Sequence, residues 1–504
     1  MMEKNNSKVL SSMRVVLGYV GFNIFLVGMV MLFCLGTLIF FPNEIDNAKY
    51  LLIPAIPSII VGLLLFVPIY KKGTDDLDKN HDYLIVTLSW IIAVFICSMP
   101  YFLTGDFTFT ESVFESTSGL TTTGATVMNP DNLPNIFLFY RSMTAYLGGV
   151  GMILIMTSLF ATTFGMRLYT AEGHQNKLIP NVIKSARMIV GIYTGYIVMG
   201  TIMYMIFGMS LFDALNHSIS AVANCGFSTH SESIGYYNSL PIEVITMVLA
   251  VLGGTNFLLN LLVIKGNIKA YFKHCETKTM LVLWVIFVPI LASVLLGTIC
   301  NGVGESIRVA LFHIISAMST SGFQTVETVT TWPSAALFIL SLFMIVGFQS
   351  GSTAGGMKQY RIAITCKSIY YDVKARLKKK REVMPRKINI YGEEKELTDE
   401  RAFEEHNFAL LYLSLIFVGT LIYTIQGHSV EFALFDFSSM LGCAGLSTGI
   451  IGAGASNFSN WVGIFAMLIG RLDIYPVILA TLVTGKDIKE LYKTWRKKGE
   501  GKNV

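Results

Sequence analysis

Residues 115–126 read ESTSGLTTTGAT, and the pattern returns as HSISAVANCGFS at 217–228, HIISAMSTSGFQ at 313–324 and DFSSMLGCAGLS at 436–447. Aligned on Gly124, Gly226, Gly322 and Gly445, every copy has a serine six positions earlier: Ser118, Ser220, Ser316 and Ser439. Nine positions before the glycine stands a polar side chain, Glu115, His217, His313 or Asp436. Eleven before it stands an aliphatic one, Val113, Leu215, Leu311 or Leu434. The same offsets in four segments mark an internal repeat. The first three glycines lie 102 and 96 residues apart and the last interval is 123, which places an inserted charged segment at about 364–405.

The setting of these copies is a membrane. Of the 504 residues, 53% are hydrophobic and 14% charged, and long apolar runs recur throughout. Ten segments are able to cross a bilayer: about 15–41, 51–69, 83–104, 136–163, 186–208, 241–264, 279–300, 334–363, 407–426 and 461–484. The first follows a short polar head without a small-residue cleavage site and reads as a retained span. Loops on the N-terminal side hold 34 of the 38 lysines and arginines; only Lys49, Arg141, Arg308 and Arg471 lie elsewhere. The positive-inside rule therefore predicts that both termini are cytoplasmic. The seven cysteines are scattered without a CxxC pair, so neither a disulfide framework nor a cysteine metal site is expected.

Each copy falls in an external connection between two crossings. The predicted fold is thus an all-α polytopic membrane protein of four parallel helix–pore loop–helix repeats around a pseudo-fourfold pore, preceded by two extra transmembrane helices. The expected boundaries are 1–75 for the extra pair, 76–165, 166–266 and 267–364 for the first three repeats, 365–404 for a cytoplasmic linker, 405–485 for the fourth repeat and 486–504 for a tail. Residues 109–121, 210–223, 306–319 and 430–442 suit short helices dipping into the membrane. The chain then returns without helical hydrogen bonds, which hydrocarbon tolerates only where the backbone lines a wet or ion-filled cavity. Glycine permits positive φ and lets four backbones approach closely, so inward carbonyls can replace the water shell of a dehydrated monovalent cation. Close helix packing is the plainer use of a small residue, but four glycines in register favour the pore.

The segments TTTGAT, NCGFS, STSGFQT and GCAGLSTG, with SGSTAGGMKQYR and IGRLDIYPV, closely resemble the Trk/Ktr/HKT superfamily of potassium transporters, in particular its TrkH-type membrane subunits. The resemblance runs from about 83 to 484. It implies potassium as the transported ion, bound in a filter formed by Thr122, Thr123, Gly124, Asn224, Cys225, Gly226, Thr320, Ser321, Gly322, Cys443, Ala444 and Gly445. In that family, glycine at all four filter positions goes with potassium and serine at the first goes with sodium. It further implies a homodimer in the bacterial inner membrane, docked on a cytosolic nucleotide-binding regulatory ring of the TrkA type. The chain itself has no GxxxxGK[ST] and no nucleotide-binding GxGxxG after a strand. No nucleic-acid partner is expected.

A second glycine follows each filter glycine: Gly149, Gly254, Gly347 and Gly470. In the third repeat it leads into FQSGSTAGGMK, where Gly351, Ser352, Thr353, Ala354, Gly355 and Gly356 should unwind the helix. The resemblance makes this loop an intramembrane gate. Arg471, deep in an apolar helix, needs an interior partner and is expected beside the pore, repelling cations or bonding loop carbonyls. The Glu115, His217, His313 and Asp436 set reads as satisfying buried polar groups. The basic run 374–387 reads as membrane-lipid anchorage or a docking face. The alternatives are a sodium-permeable or cation-symporting member of the same fold, and an intramembrane hydrolase using His217 with Ser220 or His313 with Ser316 at i, i+3 spacing.

Overall fold

The computed structural model describes residues 2–72, 80–152, 154–155, 182–326, 328–377 and 386–500. The protein is an all-helical polytopic membrane protein apart from one small hairpin. Among the described residues, six helices are long and apolar enough to cross a membrane alone, and two bent pairs raise the number to eight. The other two expected crossings begin as the shorter helices Asn135–Val150 and Ser334–Val346. Beyond 155, the expected span 136–163 and the loop after it lie outside the described residues, as does 378–385 of the basic run.

The first two helices, Met2–Cys34 and Ala48–Lys72, pack against each other through small residues. A Cβ on Gly62 would fall 2.6 Å from Phe25 N, and one on Gly28 would fall 2.9 Å from Ala55 O. Without a hydrophobic drive in lipid, such close backbone approach supplies the contact. This pair packs on helix His81–Thr104, where Asn23 Nδ2 donates to Ser89 Oγ at 2.9 Å, and the Glu44 carboxylate accepts from Asn135 N and Ile136 N, both at 2.9 Å, at the start of helix Asn135–Val150.

A long helix, a short buried helix and a second helix then follow one another four times. The short helices are Phe109–Leu120, Leu211–Ala223, Val303–Ser319 and Val430–Leu441. Three start on a hydroxyl N-cap: Thr108, in a capping box with Glu111, Ser210 and Ser429. The third starts on Gly302, without a side-chain cap.

The second helices differ from expectation, because all four break rather than the third alone. Leu240–Gly254 turns by 110° into Phe257–Ile264, and Asn457–Leu472 turns by 101° into the helix that begins at Ile474. Asn135–Val150 ends on Gly151 at φ 95°, and Ser334–Val346 ends on Gly347 at φ 66°. The causes are local. Asn256 restarts its helix by accepting from Leu258 N at 2.9 Å, and Asp473 takes φ 61°. Carbonyls freed by the breaks find side chains: Asn260 Nδ2 donates to Leu252 O at 2.9 Å and Gln359 Nε2 to Gly347 O at 3.3 Å.

The inserted segment is ordered where it is described. Helix Gln359–Leu377 leads to an antiparallel hairpin, Lys387–Ile390 with Glu393–Glu396, whose turn holds Tyr391 and Gly392. Helix Asp399–Ile425 follows. All seven cysteines are free, and only Cys366 is exposed.

Candidate functional site

The four short helices end alike. Thr123 N donates to Ser118 O at 2.8 Å, Cys225 N to Ser220 O at 2.9 Å, Ser321 N to Ser316 O at 3.0 Å and Ala444 N to Ser439 O at 2.8 Å. Together with the bonds from Thr122, Asn224, Thr320 and Cys443 N to the carbonyls three residues back, these are Schellman closures. The serine six before each glycine thus contributes its carbonyl. The left-handed residue of such a closure is usually glycine. Here it is Thr122, Asn224, Thr320 or Cys443, at φ 54–57°. For the two threonines this is a strained backbone, held by its surroundings.

Two residues further on, Gly124, Gly226, Gly322 and Gly445 have φ between 71° and 85°. A Cβ on Gly124 would fall 1.4 Å from Cys225 O, and one on Gly226, Gly322 or Gly445 would fall 2.1 Å from Ser321 O, Ala444 O or Thr123 O respectively. Each glycine therefore abuts the carbonyl before the next glycine, and the fourth copy returns to the first. The four segments form a closed ring of backbone in chain order. Its members Thr122, Thr123, Asn224, Cys225, Thr320, Ser321, Cys443 and Ala444 are all buried. Above it, a cavity of about 300 Å³ is lined by all four glycines.

Three of the four polar groups nine before the glycines, Glu115, His217 and Asp436, brace the chain returning from the ring. Glu115 accepts from Val127 N at 3.1 Å and Thr126 Oγ1 at 2.9 Å, and Asp436 from Thr448 N at 2.6 Å and Ser447 Oγ at 2.8 Å. His217 Nε2 meets Ser228 Oγ at 3.0 Å. His313 Nε2 alone has no hydrogen-bond partner among the described residues. Glu115 also accepts from Arg141 Nε at 2.7 Å, and the guanidinium lies 4.1 Å over the Phe227 ring. Arg141 was not singled out from sequence; its only signal is being one of four cations outside the basic loops.

Beneath the ring lies the broken segment after Gly347. Thr353 Oγ1 donates to Asn224 Oδ1 at 2.6 Å, and Gly355 N donates to Thr320 Oγ1 at 2.8 Å. A Cβ on Gly355 would fall 2.1 Å from Gly442 O. Arg471 Nη1 donates to Thr353 O at 2.7 Å, and its other terminal nitrogen donates to Gly148 O. A small cavity of about 40 Å³ lies between Gly351, Ser352, Ala354, Arg471 and Lys358. Lys358, read from sequence as part of a basic loop, is partly buried here and donates to Ala354 O. Gly356, at φ 78°, packs back on Gly347 rather than facing that cavity. Glycines of the second helices abut the ends of the short helices: Cβ positions on Gly148, Gly253 and Gly470 fall 1.8 Å from Leu120 O, 2.1 Å from Val222 O and 1.9 Å from Leu441 O, and one on Gly149 falls 3.2 Å from Ala223 Cα.

A family model for TrkH, a cation transport protein, matches residues 52–487. The chain belongs to the TrkH family of cation transport proteins. Among TrkH relatives, the Trk system potassium uptake protein TrkH of Halomonas elongata is 33% identical over 83% of this chain and 88% of its own length. The protein of that name from Escherichia coli strain K12 is 29% identical over 84% of this chain and 89% of its own length. The crystal structure of the potassium transporter TrkH from Vibrio parahaemolyticus superposes with a TM-score of 0.81 at 25% identity, covering 93% of this chain and 98% of that one. A TrkH-family chain is a transporter and not an enzyme. The local geometry agrees: Ser316 Oγ donates to Phe323 O at 2.7 Å, and His217 bonds Ser228 rather than Ser220. Among the described residues no group of three or more His, Cys, Asp and Glu side chains could hold a metal ion.

Proposed function

We propose that this protein takes up potassium across the bacterial inner membrane through the glycine ring, with the segment after Gly347 as its gate. The observation that carries this reading is the cyclic contact of the four glycines with Thr123, Cys225, Ser321 and Ala444 carbonyls. A potassium ion entering from the outer cavity exchanges its hydration shell for these oxygens. Four glycines at the ring and the names of the relatives support potassium over sodium. Glu115 and Asp436 spend their oxygens on the returning chain, so the ring has no free carboxylate to serve as a coupling-ion site. That favours channel-like flux over symport.

On leaving the ring inward, the ion meets Thr353, Gly355 and Arg471. The loop obstructs by its backbone, and the guanidinium adds repulsion in a low-dielectric surrounding. Both termini are cytoplasmic in this reading. His81 Nε2 lies 3.0 Å from Asp487 on the C-terminal helix, and the span at 81 starts from the basic side. Nucleotide control comes from a separate cytosolic ring, and the subunit works as a homodimer.

The test is growth of a potassium-uptake-deficient bacterium on limiting potassium, carrying the wild type or Gly124→Ser. Wild-type rescue is expected, with the variant admitting sodium, because a Cβ there must displace the Cys225 carbonyl. A well-expressed wild type that fails to rescue, with a regulatory ring co-expressed, would overturn potassium uptake.

A further inference from the structure

The loop beneath the ring does more than fill space, because two of its hydrogen bonds end on the ring itself. Asn224 is buried, and its side-chain amide makes three hydrogen bonds. Its nitrogen donates to Ser319 O at 2.8 Å, on the last residue of the third short helix, and to Ala250 O at 3.0 Å. Its oxygen accepts from Thr353 Oγ1 at 2.6 Å. The Asn224 side chain thus ties the second ring segment to the end of the third short helix and to the loop. Thr320 Oγ1 takes the second bond, from Gly355 N at 2.8 Å. Thr320 is a β-branched residue at φ 57°, a conformation that needs outside support.

The other two walls are built differently. Thr122 Oγ1, at the matching position of the first segment, has no partner among the described residues. Cys443 Sγ points to Met467 O at 3.5 Å in the fourth. Among the described residues, only the second and third segments are hydrogen-bonded to the loop, while the fourth packs against Gly355.

We propose that Asn224 and Thr320 are positioning residues of the ion-selective ring whose side chains are held by the closed loop, so that selectivity and gate position are coupled. This rests on the gate and ring reading above. Movement of the loop acts through these bonds on the second and third walls, and through Gly355 packed on the Gly442 carbonyl it also touches the fourth. The coupling runs both ways: an ion that fits the braced ring better also favours the loop position that braces it.

The test uses the full chain in proteoliposomes, with potassium-to-sodium permeability ratios from reversal potentials and flux measured separately. Thr353→Val keeps the loop's bulk and deletes its bond to Asn224; the ratio should fall about fivefold, the scale of one buried hydrogen bond. Thr353→Ser should return it to the wild-type value. Thr320→Val and Thr320→Ser probe the second bond in the same way and serve if Thr353→Val does not fold. Permeability ratios unchanged in the folded valine variants would overturn the coupling. A loop lacking residues 352–354 tests the gate itself: raised flux supports it, and unchanged flux sinks the gate reading with the coupling. Raised flux there, with Thr353→Val keeping the wild-type ratio, would leave the gate standing and remove only the coupling.

Discussion

At the scale of single residues, the ring depends on backbone that no side chain can share. Gly226, at φ 73°, leaves 2.1 Å between a Cβ and Ser321 O. Gly226→Ala adds roughly 1–2 kcal/mol of left-handed strain on top of that clash. Potassium uptake by this variant should fall at least tenfold at unchanged membrane expression, measured as rubidium tracer uptake. Arg141 and Glu115 are a different case, since both are buried and charged. Removing one partner strands the other, a loss of about 3–5 kcal/mol, whereas removing both avoids the stranded charge. Arg141→Met should therefore lower the thermal midpoint of the detergent-solubilised protein by more than Arg141→Met with Glu115→Gln does. Equal loss in the two would show that an unpaired Glu115 carboxylate carries no cost of its own.

At the scale of elements, the four broken second helices matter most. Arg471 sits one residue past Gly470 and ties two of these breaks together, bonding Thr353 O in the third unit and Gly148 O in the first. Charge-assisted bonds of this kind contribute about 1.5–3 kcal/mol each. Arg471→Ala should release the loop and raise basal flux about tenfold or more in proteoliposomes, with Arg471→Lys intermediate because it cannot bridge both carbonyls. Flux equal to wild type would remove Arg471 from the gate. The sequence marked Arg471 and the 351–356 glycines, since a cation or unwound backbone inside an apolar run has to be explained. It gave no sign of the bends at Asn256 and Asp473. Those rest on an asparagine cap and one left-handed residue, which in sequence look like any polar residue near the end of a span.

At the scale of the whole molecule, the first helix pair meets the rest both by packing on helix His81–Thr104 and by a helix-terminus contact. The Glu44 carboxylate takes the first amides of Asn135–Val150 at 2.9 Å and faces the positive end of that helix. Glu44→Ala should cost about 1–2 kcal/mol, as for loss of an N-cap, and be read as a lower thermal midpoint with ion selectivity unchanged. A shift in the permeability ratio would mean instead that the pair bears on the ring.

By itself the sequence determined the apolar spans, the fourfold repeat and the position of the ring glycines. Span length is fixed by bilayer thickness, and a repeated offset survives without any knowledge of contacts. Only the tertiary structure decided that the four copies close on one another in chain order. It alone placed the left-handed turn on Thr122, Asn224, Thr320 and Cys443, and it alone set the loop's bonds on Asn224 and Thr320. The ring closure and the loop's bonds depend on atoms from segments that meet only in the folded chain, 35 residues apart for Gly355 and Thr320 and 129 for Thr353 and Asn224, and nothing in either local stretch records the meeting.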